Sequence, residues 1–184
     1  MRNHGGSDAR SYSRPGRGGI EYALLIRATA RYPHTGDMIT NEQVELVQSS
    51  FTGLLPMADA VGEMLYSRIF ELAPDARALF EEDIRPQVKR LMAAVKVAVD
   101  GLGRLDEVAP FLVRLGAKHA RYGVRPEHFA VGGEALLWTL EQGLGESFTP
   151  ELRDAWAAAW GVIADAMLTG MRQAELDGTG LRVA

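Results

Sequence analysis

The sequence predicts an all-α fold for most of its 184 residues. Apolar residues make up 47% of the chain, which is enough for a sizeable core, and they recur at the spacing of amphipathic helices. No segment alternates apolar and polar residues as a half-buried strand does. Prolines and glycines separate the helical segments, so we expect seven or eight helices of unequal length joined by short links.

Residues 1–37 differ in composition from the rest of the chain. They hold six arginines against three acidic residues, a net charge of about +3, together with six of the 20 glycines. Such a stretch buries too little apolar surface to offset the entropy lost on folding. We therefore expect a disordered basic extension, within which a short helix over 20–31 is an alternative. A solvated tail is favoured over an arm that contacts acidic partners.

The first helices are marked by local signals. Thr40 and Gln43 have the spacing of a capping box, which predicts a helix start at this point. Pro56 suits the first turn of a second helix, and Pro74 ends that helix in a short turn that reaches Phe80.

The later helices follow the same logic, each beginning near a proline or an acidic residue and ending near a glycine. They are predicted over about residues 86–102, 107–120, 126–143 and 149–175. The ordered domain is thus expected to span residues 38–175, followed by a short flexible tail at 176–184.

The composition excludes several classes of function. The chain has no cysteine, which removes disulfides, zinc–thiolate sites, iron–sulfur clusters and cysteine nucleophiles, and agrees with a reducing cytoplasm. A formal net charge of −4 argues against nucleic acid as the main partner, because phosphate binding needs a basic surface. The early apolar run at 22–26 is too short for a membrane span or a signal peptide. We expect a cytoplasmic protein with neither nucleic acid nor membrane as partner.

Among the four histidines, His119 has the position of a buried side chain. Leu112, Leu115 and His119 are spaced i, i+3 and i+7, so the imidazole lies on the apolar face of a helix. Two interpretations remain open from the residues alone. The imidazole is either a core side chain bonded to a backbone carbonyl, or an axial ligand of a metal or haem iron.

Four blocks of sequence carry a resemblance to a known family. They read MLYSRIF at 64–70, with a proline and Leu79-Phe80 after it, QVKRLM at 87–92, AKHARYGV at 117–124, and AWAAAWGVIA at 155–164. In this order and at these separations they resemble the globins, above all single-domain bacterial globins and the haem domain of flavohaemoglobins, with neuroglobin-like features. The resemblance covers about residues 40–174. It implies a globin fold, with three helices packed on three, and a haem b whose iron is bound by His119.

The resemblance also assigns residues to the haem pocket. Phe80 would stack on the porphyrin at the bend after the second helix, and either Arg90 or Lys118 would reach the propionates. Both basic side chains have plain solvation as their alternative. Four apolar residues would line the slot, with ordinary core packing as the alternative for each: Leu91, Leu115, Val124 and Phe129.

On the distal side, Tyr66 and Gln87 match the positions from which this family's side chains face bound gas. A phenol O–H and an amide N–H both donate, and a hydrogen bond to a charged acceptor contributes about 1.5–3 kcal/mol, or roughly 10- to 150-fold in affinity. Together with Leu91 they form a flavohaemoglobin-like set. The resemblance implies a globin that binds molecular oxygen reversibly with high affinity, for carriage, storage or scavenging.

Other functions share these residues. Nitric oxide dioxygenation would use the same distal pair. We expect no flavin reductase after Ala184, so this activity would need a separate reductase. The expected ligand is oxygen, with nitric oxide and CO as alternatives. A gas sensor, in which the basic tail transmits the ligand state, and a helical bundle without a cofactor are the weaker hypotheses.

The sequence departs from the flavohaemoglobin pattern on the proximal side. That pattern has a tyrosine ten residues after the proximal histidine and a glutamate late in the last helix, a pair that raises electron density at iron. This chain has Phe129 and Gln173 at those positions. Peroxidase-like and self-sufficient dioxygenase chemistry are therefore disfavoured.

Overall fold

A computed structural model describes residues 39–180, with side chains to residue 177. This part of the chain is helical and holds no strand, which confirms the all-α prediction. Its α-helices are α1 (Asn41–Leu54), α2 (Ala58–Leu72), α3 (Arg85–Asp100), α4 (Leu105–Arg121), α5 (His128–Leu144) and α6 (Pro150–Gly180). Short 3-10 helices at Leu55–Met57, Pro74–Leu79 and Gly145–Ser147 connect them.

The described residues thus contain six α-helices rather than the expected seven or eight. The short turn predicted after Pro74 is confirmed as a 3-10 helix. The segment around Pro56 also forms a 3-10 turn, so α2 begins at Ala58 and not at Pro56, because a proline removes a backbone donor and favours a tight turn. The predicted disordered extension, 1–37, and the short helix considered within it lie outside the described residues.

Most helix ends lie within two residues of the positions that the local signals predict. The capping box is present: the Gln43 N–H donates to the Thr40 hydroxyl at 3.2 Å, and the Thr40 N–H donates to the Gln43 side chain at 3.0 Å. α5 begins at His128, two residues after Pro126. α6 continues to Gly180, five residues past its predicted end, because a long helix is extended at small cost once it has formed.

The core has two main parts. One surrounds Trp156, which is 2% exposed and whose indole N–H donates to Ser50 at 3.0 Å. The other lies under α4 and contains Leu112, Phe129 and Met171. The first part holds α1 and α6 together, and the second supports the helix that carries His119.

α4 and α6 touch through their backbones. A Cβ atom added at Gly116 would lie 1.8 Å from the carbonyl oxygen of Met167, and one added at Gly170 would lie 1.8 Å from that of Val113. Only glycine permits this approach from both sides. The position of α4 is therefore set by direct backbone contact. Within residues 39–180, no helix has the length and apolar character needed to cross a membrane.

Candidate functional site

His119 lies in the last turn of α4 and uses one ring nitrogen structurally. Its Nδ1 is 2.8 Å from the carbonyl oxygen of Leu115, and since a carbonyl only accepts, Nδ1 carries the hydrogen. Nε2 has no hydrogen-bond partner in the described part of the chain, so its lone pair is free. The two interpretations of His119 left open by the sequence are thus compatible, because they use opposite nitrogens of one ring.

The protonation state of His119 suits a metal ligand. Burial lowers the pKa of the His119 imidazole below its ordinary value, and the hydrogen bond to Leu115 opposes this effect more weakly. The ring is therefore neutral at neutral pH, which is the form that binds iron. The carbonyl partner also fixes the tautomer and the ring orientation, as partners of ligating histidines do.

The end of α4 turns the chain away directly after His119. Gly123 has φ = +85°, a left-handed conformation that favours glycine. The N–H of Val124 donates to the His119 carbonyl at 3.0 Å and that of Gly123 to the Ala120 carbonyl at 3.0 Å. This is the paired hydrogen-bond pattern of a Schellman motif, and it satisfies the last carbonyls of the helix that holds the imidazole.

The proximal surroundings are apolar. The Phe129 ring lies 6.3 Å from the His119 ring between centroids and is buried, while Leu115 and Val124 pack against the same cluster. Gln173 is exposed. Three of the predicted slot-lining side chains are thus found together beside His119. Their contacts with a porphyrin remain a prediction.

Tyr66 of α2 is the central side chain of the predicted distal side. It is 6% exposed, and burial raises the pKa of its phenol above the ordinary value, with hydrogen bonding from Gln87 as the main opposing effect. The phenol is therefore protonated at neutral pH and retains a hydrogen to donate. Gln87 lies in the first turn of α3, so two helices bring the predicted donors together.

Arg90 determines how the Gln87 amide is oriented. Its guanidinium donates to Gln87 Oε1 from Nε at 3.0 Å and from Nη2 at 2.8 Å. Because Arg90 occupies the oxygen end, the amide N–H groups are left to donate on the other side. Lys118 is exposed and forms no ion pair among the described residues. Contact of Arg90 or Lys118 with propionates stays a prediction.

Phe80 completes an aromatic cluster with Tyr66. Its ring is 5.2 Å from that of Tyr66, and both lie near Phe70, at 6.0 Å from Tyr66 and 5.3 Å from Phe80. We refer to these three residues as the distal aromatic cluster. The sequence prediction missed Phe70, although its i+4 spacing from Tyr66 places both rings on one side of α2.

Leu91 has a different environment from the other predicted lining residues. It lies one turn after Gln87 on α3, is half-buried, and packs in none of the buried clusters found in residues 39–177. Its side chain is therefore not part of the core that holds the helices together. This agrees with a position on the wall of a slot.

The donor set matches haem better than a bare metal ion. No group of three or more His, Asp or Glu side chains that could hold a metal occurs in the described part of the chain. One imidazole alone is a poor metal site, whereas a porphyrin supplies four nitrogens and needs a single protein ligand. A neutral imidazole with a free Nε2, facing apolar side chains, meets that requirement.

Comparison with known proteins gives a consistent result. A sequence model of the family described as Globin matches residues 63–167. The chain is 31% identical over 148 residues to a neuroglobin of Tetraodon nigroviridis, a match covering 73% of this chain and 93% of that protein. It is 30% identical over 134 residues to a flavohemoprotein of Bacillus subtilis (strain 168), which covers 71% of this chain but 34% of that protein.

A solved structure shares the architecture. A bacterial globin of Campylobacter jejuni superposes with a TM-score of 0.66 at 22% identity, covering 73% of this chain and 97% of that one. The likeness confirms the predicted globin fold, and the sequence matches confirm the predicted resemblance. Family membership implies that the chain binds haem and a gaseous ligand such as oxygen. The chain belongs to the globin family.

Proposed function

We propose that this globin binds molecular oxygen reversibly and with high affinity, for carriage, storage or scavenging. In this proposal His119 is the iron ligand, and Tyr66 and Gln87 donate hydrogen bonds to the gas. When bound, haem supplies the iron that takes up the gas and shifts negative charge onto it. The remaining contribution comes from how the protein holds its donors.

The observation that carries the proposal is the protonated, buried phenol of Tyr66 next to an oriented amide. Arg90 holds the Gln87 oxygen, so the Gln87 amide is the donor in its hydrogen bond with Tyr66, and the Tyr66 O–H stays free to donate toward the gas. A hydrogen bond from such a group to a charged acceptor contributes about 1.5–3 kcal/mol. That corresponds to roughly 10- to 150-fold in affinity, expressed mainly as slower release.

The proximal side supports binding over oxidative chemistry. His119 Nδ1–H donates to a backbone carbonyl rather than to a carboxylate, so nothing at this nitrogen raises the basicity of the imidazole strongly. Phe129, where the flavohaemoglobin pattern has a tyrosine, offers only an apolar ring. We infer that these proximal residues would favour reversible gas binding over cleavage of the oxygen bond.

We further propose that the cofactor is haem b. The sequence contains no cysteine, so there is no thiol to form the covalent bonds that attach c-type haem. The same composition suits the reducing cytoplasm, where we place the protein. Acidified butanone should extract the whole pigment, and a pigment that stays with the protein would contradict this assignment.

Oxygen release measured by stopped flow tests the proposed function. We expect Tyr66→Phe to raise the release rate by roughly 10- to 150-fold, since it removes one donor to a charged acceptor. Tyr122→Phe is the matched control, because Tyr122 is 64% exposed at the end of α4 and should leave the rate unchanged. An equal release rate in Tyr66→Phe and the unmodified protein would refute the distal argument.

Nitric oxide dioxygenation with a separate reductase is the second candidate. The 30% identity to a flavohemoprotein favours it, and the match covers 34% of that protein. Nitric oxide dioxygenation would require the same donors, Tyr66 and Gln87. With nitric oxide, oxygen, NADH and an added flavin reductase, repeated nitrate formation would support this candidate. A single stoichiometric burst of nitrate would leave oxygen binding as the function.

A further inference from the structure

Arg77, in the 3-10 turn between α2 and α3, uses its guanidinium in an unusual way. It donates to three consecutive backbone carbonyls, those of Phe80 at 3.1 Å, Glu81 at 3.0 Å and Glu82 at 3.2 Å. It has no carboxylate partner among residues 39–177. Its donors therefore hold a loop together instead of forming a surface ion pair.

The loop that Arg77 holds, residues 80–84, has no regular secondary structure. Its main backbone link to the preceding turn is the Phe80 N–H, which donates to the Arg77 carbonyl at 3.2 Å. Arg77 thus accepts from the loop through its backbone and donates to it through its side chain. Without the guanidinium, the three carbonyls would depend on water alone.

Arg77 also contacts a ring of the distal aromatic cluster, in addition to the loop carbonyls. Its guanidinium carbon lies 5.3 Å from the centroid of the Phe70 ring, within the range of a cation–π contact. Phe70 stacks on Tyr66, and Phe80 meets Tyr66 edge to face. Arg77 therefore contacts both aromatic neighbours of Tyr66, one through its ring and one through its carbonyl.

We propose that Arg77 is a positioning residue that holds the 80–84 loop and the distal aromatic cluster so that the Tyr66 phenol faces the bound gas. This inference rests on the proposed role of Tyr66. The sequence position of Arg77 does not indicate a positioning role, because an arginine in a turn shortly before Glu81 and Glu82 suggests an ordinary surface ion pair.

The test is a double-mutant cycle on oxygen release by the haem-loaded full chain. Arg77→Met keeps much of the side-chain length but removes every donor and the charge. We expect it to speed release by ~3- to 10-fold when Tyr66 is present, and to change release little in a Tyr66→Phe background. Arg77→Lys restores charge over Phe70 but lacks the planar fork, so we expect an intermediate rate.

Arg153→Met is the matched control. Arg153 lies 5.7 Å over the Phe148 ring and pairs with Glu141 at 3.6 Å, remote in sequence from the distal loop. Arg153→Met also removes a cation–π contact, together with an ion pair, and oxygen release should not change. If Arg77→Met binds haem poorly, oxygen release is measured for Arg77→Lys in the presence and absence of Tyr66→Phe instead.

A second measurement reports on the loop without using the gas. A Glu-specific protease should cleave after Glu81 and Glu82 several-fold faster in Arg77→Met, because their carbonyls are no longer held. Cleavage after Glu127, in the loop before α5, should keep its rate.

The outcomes separate the two proposals. An equal acceleration by Arg77→Met in both backgrounds, or none in either, overturns the positioning role. Unchanged cleavage after Glu81 and Glu82 overturns it as well. A Tyr66→Phe variant that releases oxygen at the unmodified rate instead refutes the proposed function, while the protease rates still decide whether Arg77 holds the loop.

Discussion

Replacing Gly170 by alanine should disturb the predicted proximal side of the site, although the atoms nearest to an added Cβ belong to Val113 and not to a predicted haem residue. The new Cβ would lie 1.8 Å from the Val113 carbonyl oxygen, whereas real Cβ contacts stay above 3.0 Å. The two helices must therefore separate by about 1.2 Å, the difference of those distances. Overpacking of this kind costs about 1–3 kcal/mol, which exceeds the gain of up to ~1 kcal/mol from replacing a helical glycine.

Gly161→Ala in the same helix is the matched control. No atom lies within 4 Å of a Cβ added there, so it should show only the propensity gain. The free energy of unfolding from urea titrations should fall for Gly170→Ala and stay level or rise for Gly161→Ala. Because α4 carries His119, haem transfer to a competing apoglobin should also be faster in Gly170→Ala. Equal stability of the two variants would refute the close-contact argument.

Further predictions concern single side chains. His119→Ala should abolish the Soret band of the purified protein, and an absorption spectrum with full intensity would remove His119 as the ligand. Burial lowers the pKa of His119 from 6.5, so the unfolded chain takes up a proton first as the pH falls. The stability that the neutral His119 imidazole contributes to the apoprotein is present above pH 6.5 and is lost as the pH falls below that value. In urea titrations, His119→Gln should remove this contribution to the pH dependence of the unfolding free energy. Arg90→Met should speed oxygen release by ~2- to 5-fold in stopped flow, because the Gln87 amide loses its orienting partner. Ser50→Ala should cost about 1–3 kcal/mol of unfolding free energy, because the buried Trp156 N–H loses its acceptor; an unchanged urea midpoint would contradict this.

The fold was predictable where local interactions decide it. The capping box at Thr40 involves a few neighbouring residues, and it is found where the sequence predicts it. The end of α6 lies five residues past the predicted one, because the glycines near Gly180 do not stop a helix that a long preceding run of residues sustains. Both results follow from the same balance between local propensity and the length of the helix.

Recognition of the site depended on a different kind of information. Tyr66, Gln87 and His119 come from three helices, and only the resemblance to a family relates all three, while the structure brings Tyr66 and Gln87 together. Arg77 and the Gly116–Gly170 contact could not be predicted in this way. Each depends on a distance between a backbone carbonyl and a group elsewhere, and hydrophobic periodicity contains no information on such distances.

The two sides of the site are held by different means. On the proximal side, α4 meets α6 through backbone atoms at Gly116 and Gly170. The position of His119 therefore depends on main-chain contacts, where any added side chain causes a large clash and not a small adjustment. On the proposed distal side, Arg90 holds Gln87 directly and Arg77 holds the aromatic neighbours of Tyr66. In this proposal, a change of either arginine would adjust gas release by a small factor without moving His119. We therefore expect substitutions that tune oxygen affinity in this globin to act on the distal side, and those on the α4–α6 contact to act through loss of haem.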